Sequence, residues 1–382
     1  MQSKTKSFLH ATRAASRKTQ IRNWIILVLA VILFVVGLRL LSGIGRTSEI
    51  SASVLPCYAH QDVTPFGDGV LYYDGASIHC VSSTGSVRWS FRIGASAQFS
   101  VGKNHLVAWE GSQLYILNRN GKPTYNENMP GTVQFARVGE KFAVVVVGED
   151  TEPQLLLKDL QGAEVDIIEP EVFDGMLMLD AGFYGENGQY MWTLAMDLYG
   201  TSVSTKMNLF QVGKMNLGIV SLGENLAYKV LFDNNLLRVF TTQQMYSYDY
   251  KGVQHVEDTM LVYGWKFLDS HIPARGNASM LLAPTAQTNS TLSITELRVL
   301  SGTMDRRYTL PSSCVGAAIE GSNIYAFSPT YLYRTNVDSQ RFYAYAMPLP
   351  EHLTVSTFIG LTDDSKAVVT SGDSVYTVTL PK

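Results

Sequence analysis

An all-β body, built as a ring of repeated four-stranded sheets behind one membrane-spanning helix, is the fold this sequence of 382 residues predicts. Three observations carry that expectation. Residues 24–38 read WIILVLAVILFVVGL and follow a stretch holding basic but no acidic groups. From residue 60 onward, runs of four to eight β-prone residues alternate with Gly, Asn, Asp, Ser or Pro. A loose unit recurs through that region with a spacing of about 40 residues, the period of four-stranded propeller blades.

The apolar run starts at Trp24, includes Ile25, Leu29, Phe34 and Leu38, and continues past Arg39 to Ile44. At 1.5 Å per residue, about 20 helical residues span about 30 Å, the thickness of a hydrocarbon core. Arg39 stands near the far end, where its long stem carries the guanidinium to the headgroups. Trp24 suits an interfacial anchor at the other end. Lys4, Lys6, Arg13, Arg17, Lys18 and Arg22 precede the run, and Arg46 is the one basic residue soon after it. This asymmetry sets the N-terminus in the cytoplasm and the body outside. Residues 41–46 (LSGIGR) offer no small-residue cleavage site, so the segment reads as an uncleaved signal-anchor. The expected organisation is a basic cytoplasmic tail (1–23), a transmembrane helix (24–44), a linker able to supply a ring-closing strand (45–60) and an extracytoplasmic propeller (61–382).

Within the body, residues 69–76 (GVLYYDGA), 105–112 (HLVAWEGS), 141–149 (KFAVVVVGE) and 322–328 (SNIYAFS) show the strand texture. The two clearest copies of the unit, 68–92 and 103–126, align Leu71, Tyr72 and Tyr73 with Val107, Ala108 and Trp109. Their turns align as well, Thr84-Gly85 with Asn120-Gly121. First strands are expected near 62, 97, 133, 176, 224, 262, 315 and 355, which gives eight units. The last has only three strands of its own, and residues 49–59 (EISASVLPCYA) can provide the fourth, removing the exposed sheet edge. Seven blades remain open because 172–314 is irregular. The stretch 271–292, rich in Ala, Ser, Thr and Asn, is expected to contain a long loop.

Residues 79–89 (HCVSSTGSVRW) resemble the tryptophan-docking repeat of the quinoprotein alcohol dehydrogenase-like propellers, through Thr84, Gly85 and Trp89. His79 and Val81 replace the Ala and Asp of that repeat, and in the next unit Tyr125 stands where Trp would be. The texture also resembles membrane-anchored propeller proteins of Gram-positive bacteria. The resemblance implies a blade-docking role for Thr84, Gly85 and Trp89. It does not extend to quinone chemistry: the adjacent-Cys pair of the quinoproteins is absent, and no metal-ligand set matches.

Charge and chemistry narrow the function. Of 30 basic and 33 acidic residues, 22 and 33 lie in 47–382, a balance of −11 that gives no footprint for nucleic acid. The sequence has no phosphate-binding loop, zinc-protease, nucleophile-elbow or C-x-x-C motif. Cys57, Cys80 and Cys314 read as buried small hydrophobes, with a Cys57–Cys80 disulfide left open. Acidic groups at 149–152 and at Asp363-Asp364 read as solvated turns. No catalytic residue, cofactor or metal ligand is expected. The reading is a non-catalytic module at the cell envelope that binds a protein or polysaccharide. Alternatives are an enzyme on a cell-wall glycan, with carboxylates at the axis, and an extracellular sensor that needs a cytosolic partner.

Overall fold

The computed structural model describes residues 50–381, apart from 151, 174 and 286–292. The tail and span expected over 1–44 lie outside the described residues. From Ile50 onward the chain forms eight four-stranded antiparallel sheets arranged as blades. Their first strands are Asp62–Phe66, Gln98–Val101, Val133–Val138, Met176–Tyr184, Ala227–Asp233, Trp265–His271, Gly316–Glu320 and Thr357–Leu361. First strands touch their neighbours at the 2/3, 3/4, 6/7, 7/8 and 8/1 seams, which places them around the axis. Seven blades are contiguous in sequence. The eighth takes its fourth strand, Ala52–Tyr58, from the other end of the described chain, in antiparallel register with Ser374–Thr379 (Ala52 beside Val378, Tyr58 beside Ser374).

The core is divided among the blade interfaces, one cluster to each of the eight. Residues 142–147 show why. Strand side chains alternate between faces, and both faces of a blade are covered by a neighbour. Ala143, Val145 and Val147 pack toward blade 2, whereas Val144 and Val146 pack toward blade 4. That two-sided burial is why these strands read as unbroken apolar runs. Each fully buried valine contributes about 1.5–3 kcal/mol relative to an exposed one.

An up-and-down sheet sends its connections alternately to two faces. Blade-to-blade links and second-to-third-strand turns share the face called upper here. First-to-second and third-to-fourth turns share the lower face. Five first strands carry a bulge, at Gln134, Leu179, Tyr228, Leu268 and Ile359. A bulge re-aims side chains, and it gives the axis an irregular wall. Within the stretch 271–292, residues 272–278 lie outside the strands and Ser279–Pro284 is the second strand of blade 6. Its Met280, Leu281, Leu282 and Ala283 are buried, and this short apolar run outweighs the polar residues around it. All three cysteines are free thiols in the core, so Cys57 and Cys80 are not bridged. Burial pushes Cys57 and Cys314 up to about 12 and Cys80 to about 11.

Candidate functional site

Thr84, Gly85 and Trp89 sit where blades meet. Gly85 takes φ +88° in the third-to-fourth turn of blade 1, and its amide donates to the Ser82 carbonyl. Thr84 hydrogen-bonds Ser82 through its hydroxyl. A side chain at Gly85 would meet the Val54 carbonyl of blade 8 at 2.8 Å. Trp89 lies in the outer strand of blade 1, where its indole N–H donates to the Arg119 carbonyl of blade 2 at 3.0 Å. Its ring covers Gly121 so closely that a Cβ there would come within 2.3 Å. Tyr125 repeats the arrangement one blade on, over Gly162. The Gly85 and Trp89 contacts cross from blade to blade, whereas the Thr84 bond stays within blade 1.

A cavity of about 910 Å³ opens along the axis between blades 8, 1, 2 and 3. Asp62, Thr64, Gln98, Ser100, Arg137 and Thr357 are among its lining. Asp62 is the one carboxylate of that lining and Arg137 the one cationic group. Arg137 Nε donates to Asp180 Oδ1 at 2.8 Å, which ties the first strands of blades 3 and 4. Across the ring, Asp269 accepts the amides of Ser270 and Ile319 and joins blade 6 to blade 7. Burial raises its carboxyl, and those two hydrogen bonds and the Lys229 and His271 charges oppose the rise. Glycoside hydrolysis asks for two facing carboxylates about 5–10 Å apart. The lining offers a single acid, Asp62, with Arg137, amides and hydroxyls around it.

A constellation that the sequence reading missed lies on blade 1. Asp74 Oδ2 is 2.8 Å from His79 Nε2, and His79 Nδ1 is 2.7 Å from Ser90 Oγ. His79 also stacks on Tyr72. Asp74 accepts the amides of Ala76 and Ser77, so the chain of bonds fastens the second-to-third turn to the third and fourth strands. The His79 bond comes first among the influences that lower the Asp74 carboxyl. The available signal was an Asp at a strand-to-strand turn five residues before a histidine.

The upper face over blades 4 to 6 is different in kind. Tyr199 and Tyr263 are 73 % and 74 % exposed and Leu261 is 65 % exposed. Leu198, Val203, Leu226 and Tyr228 are also exposed in the upper-face segments of blades 4 and 5. Tyr228 and Tyr263, with Trp265, wall an apolar cavity of about 500 Å³ between blades 5 and 6. Tyr228 is the bulged residue of its strand, and its hydroxyl accepts the Phe267 amide of blade 6 at 3.1 Å. Among the described residues, His255, Glu257 and Asp258 form the one group whose ligand atoms converge as a metal would need, and it lies on the lower face.

No protein-family model and no curated protein matches the chain. Solved structures do. The chain is similar to Sqt1 of Saccharomyces cerevisiae, with a TM-score of 0.55 and 10 % identity over 87 % of this chain and 97 % of that one. It is also similar to BamB from Moraxella catarrhalis (TM-score 0.49, 11 % identity, 86 % and 96 % covered). A third is the Pan2 WD40 domain of Neurospora crassa (TM-score 0.49, 8 % identity, 84 % and 89 % covered). At these identities the likeness is one of fold, and the Sqt1 superposition supports the β-propeller.

Proposed function

We propose that the chain is a non-catalytic interaction module held at the cell envelope, and that a protein docks on its upper face over blades 4 to 6. The exposed tyrosines around the Tyr228–Tyr263–Trp265 cavity carry this reading. Contiguous exposed apolar surface on a soluble domain marks an interaction site, and aromatic anchors dominate such interfaces. The axial lining, with one carboxylate, suits hydrogen bonding and supports a non-enzymatic role. Trp24 to Ile44 supplies the anchor in this proposal, with the basic tail cytoplasmic and the body outside. The resemblance at Thr84, Gly85 and Trp89 supports kinship with the quinoprotein-like propellers at the level of blade docking. Aromatic walls also stack on sugar rings, so a polysaccharide is the second reading.

Site-specific photo-cross-linking in intact cells tests the proposal. A cross-linker at position 263 is expected to give one discrete protein adduct that a cross-linker at exposed Glu149 does not. Adducts shared by both positions, or none at 263, would sink the docking surface. Retention on a cell-wall column that Tyr263→Ser abolishes, without a protein adduct, would favour the polysaccharide.

A further inference from the structure

Two arginines in neighbouring blades are equally buried and differently served. Arg298 of blade 6 is 7 % exposed. It donates through Nε and Nη2 to both oxygens of Asp305, at 2.8 and 2.7 Å, and through Nη1 to the Leu261 carbonyl at 2.9 Å. Arg238 of blade 5 is 8 % exposed. Among the described residues its hydrogen bond goes from Nη1 to Ser247 Oγ at 2.6 Å, and its Nε has no partner. Asp258 stands 3.8 Å from Nη1, beyond hydrogen-bond reach. A guanidinium has five donors, and buried donors left open are costly. Such a deficit in a native structure calls for an explanation, and an acceptor from outside the chain is one that would supply it.

Arg238 forms part of the wall of a cavity of about 490 Å³ on the lower face between blades 5 and 6. Met245, Met260 and Met280 line it, with Glu257 and Asp258 on the same wall. Asp233 lines it too, but its carboxylate is buried and already accepts the Ala278 amide at 2.9 Å. It contributes field rather than contact. Three carboxylates against one guanidinium make the cavity net negative.

We propose that this cavity binds a lysine- or arginine-bearing segment of a protein partner. The aliphatic stem of such a side chain packs on polarisable thioethers, and its charged head reaches Glu257 and Asp258. The open donors of Arg238 take a backbone carbonyl of the same segment. A bare anion would meet the carboxylates, and a purely apolar ligand would leave the guanidinium unserved. An extended basic peptide satisfies both. The proposal rests on the reading of the body as an interaction module and names the chemistry of a second face of it. His255 Nδ1 lies 3.6 Å from Glu257 Oε1, so a divalent cation held by His255, Glu257 and Asp258 is the competing occupant.

The test uses the full chain in zwitterionic lipid nanodiscs at 150 mM salt. The probe is a fluorescent acetyl-Gly-Lys-Gly-Lys-Gly amide, compared with its acetyl-lysine counterpart by anisotropy. The double variant Glu257→Gln/Asp258→Asn, both surface positions, is expected to weaken lysine-peptide binding about tenfold. Arg238→Lys, which keeps charge and loses the planar fork, should weaken it about threefold. Glu149→Gln/Glu152→Gln, at an exposed hairpin of blade 3, should leave it unchanged. Equal weakening by the blade 3 variant, or none by the Glu257/Asp258 variant, would overturn the proposal. So would zinc or calcium alone binding the wild type but not His255→Ala. If the peptide fails while the adduct at position 263 persists, the cavity proposal falls alone. Failure of both removes the interaction module.

Discussion

The seam between blades 8 and 1 and the seam between blades 5 and 6 each bury seven core side chains, against thirteen at the 2/3 and 6/7 seams. They make up for that thin apolar layer differently. At the 8/1 seam, Ser83 donates to Asp364 at 3.0 Å, and Lys366 reaches both, at 2.5 and 3.2 Å. Thr377 donates to the Ser83 carbonyl at 2.5 Å. Arg119 of blade 2 extends the network to Asp68 at 3.2 Å and Asp363 at 3.5 Å, and Arg88 grips Asp68 with two bonds of 2.8 Å. The 5/6 seam has single bonds from side chain to backbone: Tyr228 with Phe267, Asp233 with Ala278, Arg298 with Leu261. It also has a cavity on each face. Chain connectivity explains the contrast. Three strands of blade 8 come from the C-terminal end and reach blade 1 without a peptide link of their own, so loop-closure entropy opposes their docking. Blades 5 and 6 are joined by residues 262–264, and that seam can be left open for binding.

The contrast breaks most readily at Trp265, whose ring is flanked by Arg298 and Arg307. Trp265→Ala should cost about 3–5 kcal/mol of stability, read from the denaturant midpoint, because it removes the largest of the seven side chains buried at the 5/6 seam. A cost below about 1 kcal/mol would mean that apolar packing is not what holds that seam. At the 8/1 seam, Asp364→Ala should cost about 1–3 kcal/mol, since it removes the carboxylate that the Ser83 hydroxyl and the Lys366 ammonium share. Acid should act at the same place. Burial works to raise the Asp364 carboxyl, but hydrogen bonds from Thr362, Lys366 and Ser83 outweigh it and the net shift is downward. Arg88 holds Asp68 well below the usual carboxylate range. Carboxyls lowered by folding stabilise fully above their unfolded value, about 3.9, and lose that contribution as pH falls through the folded value. Stability should therefore drop below about pH 4, and Asp364→Asn should flatten the drop. An unchanged acid slope in that variant would assign acid sensitivity elsewhere.

How much of this was legible in the sequence depends on how far apart the partners lie. Strand starts expected at 62, 97, 133 and 176 are found at 62, 98, 133 and 176, because a Gly-bounded apolar run of period two is a local signal. Starts expected at 224 and 262 are found at 227 and 265. There the links hold apolar residues of their own: Val262 is buried in the core, so the sequence pattern runs on past the true boundary. The Asp363-Asp364 pair read as a solvated turn, yet Asp364 belongs to the 8/1 network. Its bond to Ser83 spans 281 residues, and nothing in the local sequence announces it. The two cavities were equally hidden, since each is walled by turns from two blades. Arg238 shows the same limit. In sequence it is an arginine within a strand, and only the third dimension reveals the donors left open.

The finest probe of the 8/1 seam uses two cysteines, one inside it and one at a thicker seam. Cys57 lies in the 8/1 core and Cys314 in the thicker 6/7 core. Both thiols are buried with pKa values pushed up to about 12, so alkylation at pH 8 requires the seam to open. In the wild type both should be protected to a similar degree, because the polar network makes up for the thinner layer around Cys57. In Asp364→Ala, Cys57 should react about tenfold faster for each 1.4 kcal/mol lost, while Cys314 keeps its rate. Trp265→Ala, two blades away from blade 8, should accelerate Cys57 only as far as it accelerates global unfolding. Rapid alkylation of Cys57 in the wild type would reverse the comparison and make ring closure the weak seam. Equal acceleration of both thiols in Asp364→Ala would mean that the ring opens as one cooperative unit, with no seam of its own at 8/1.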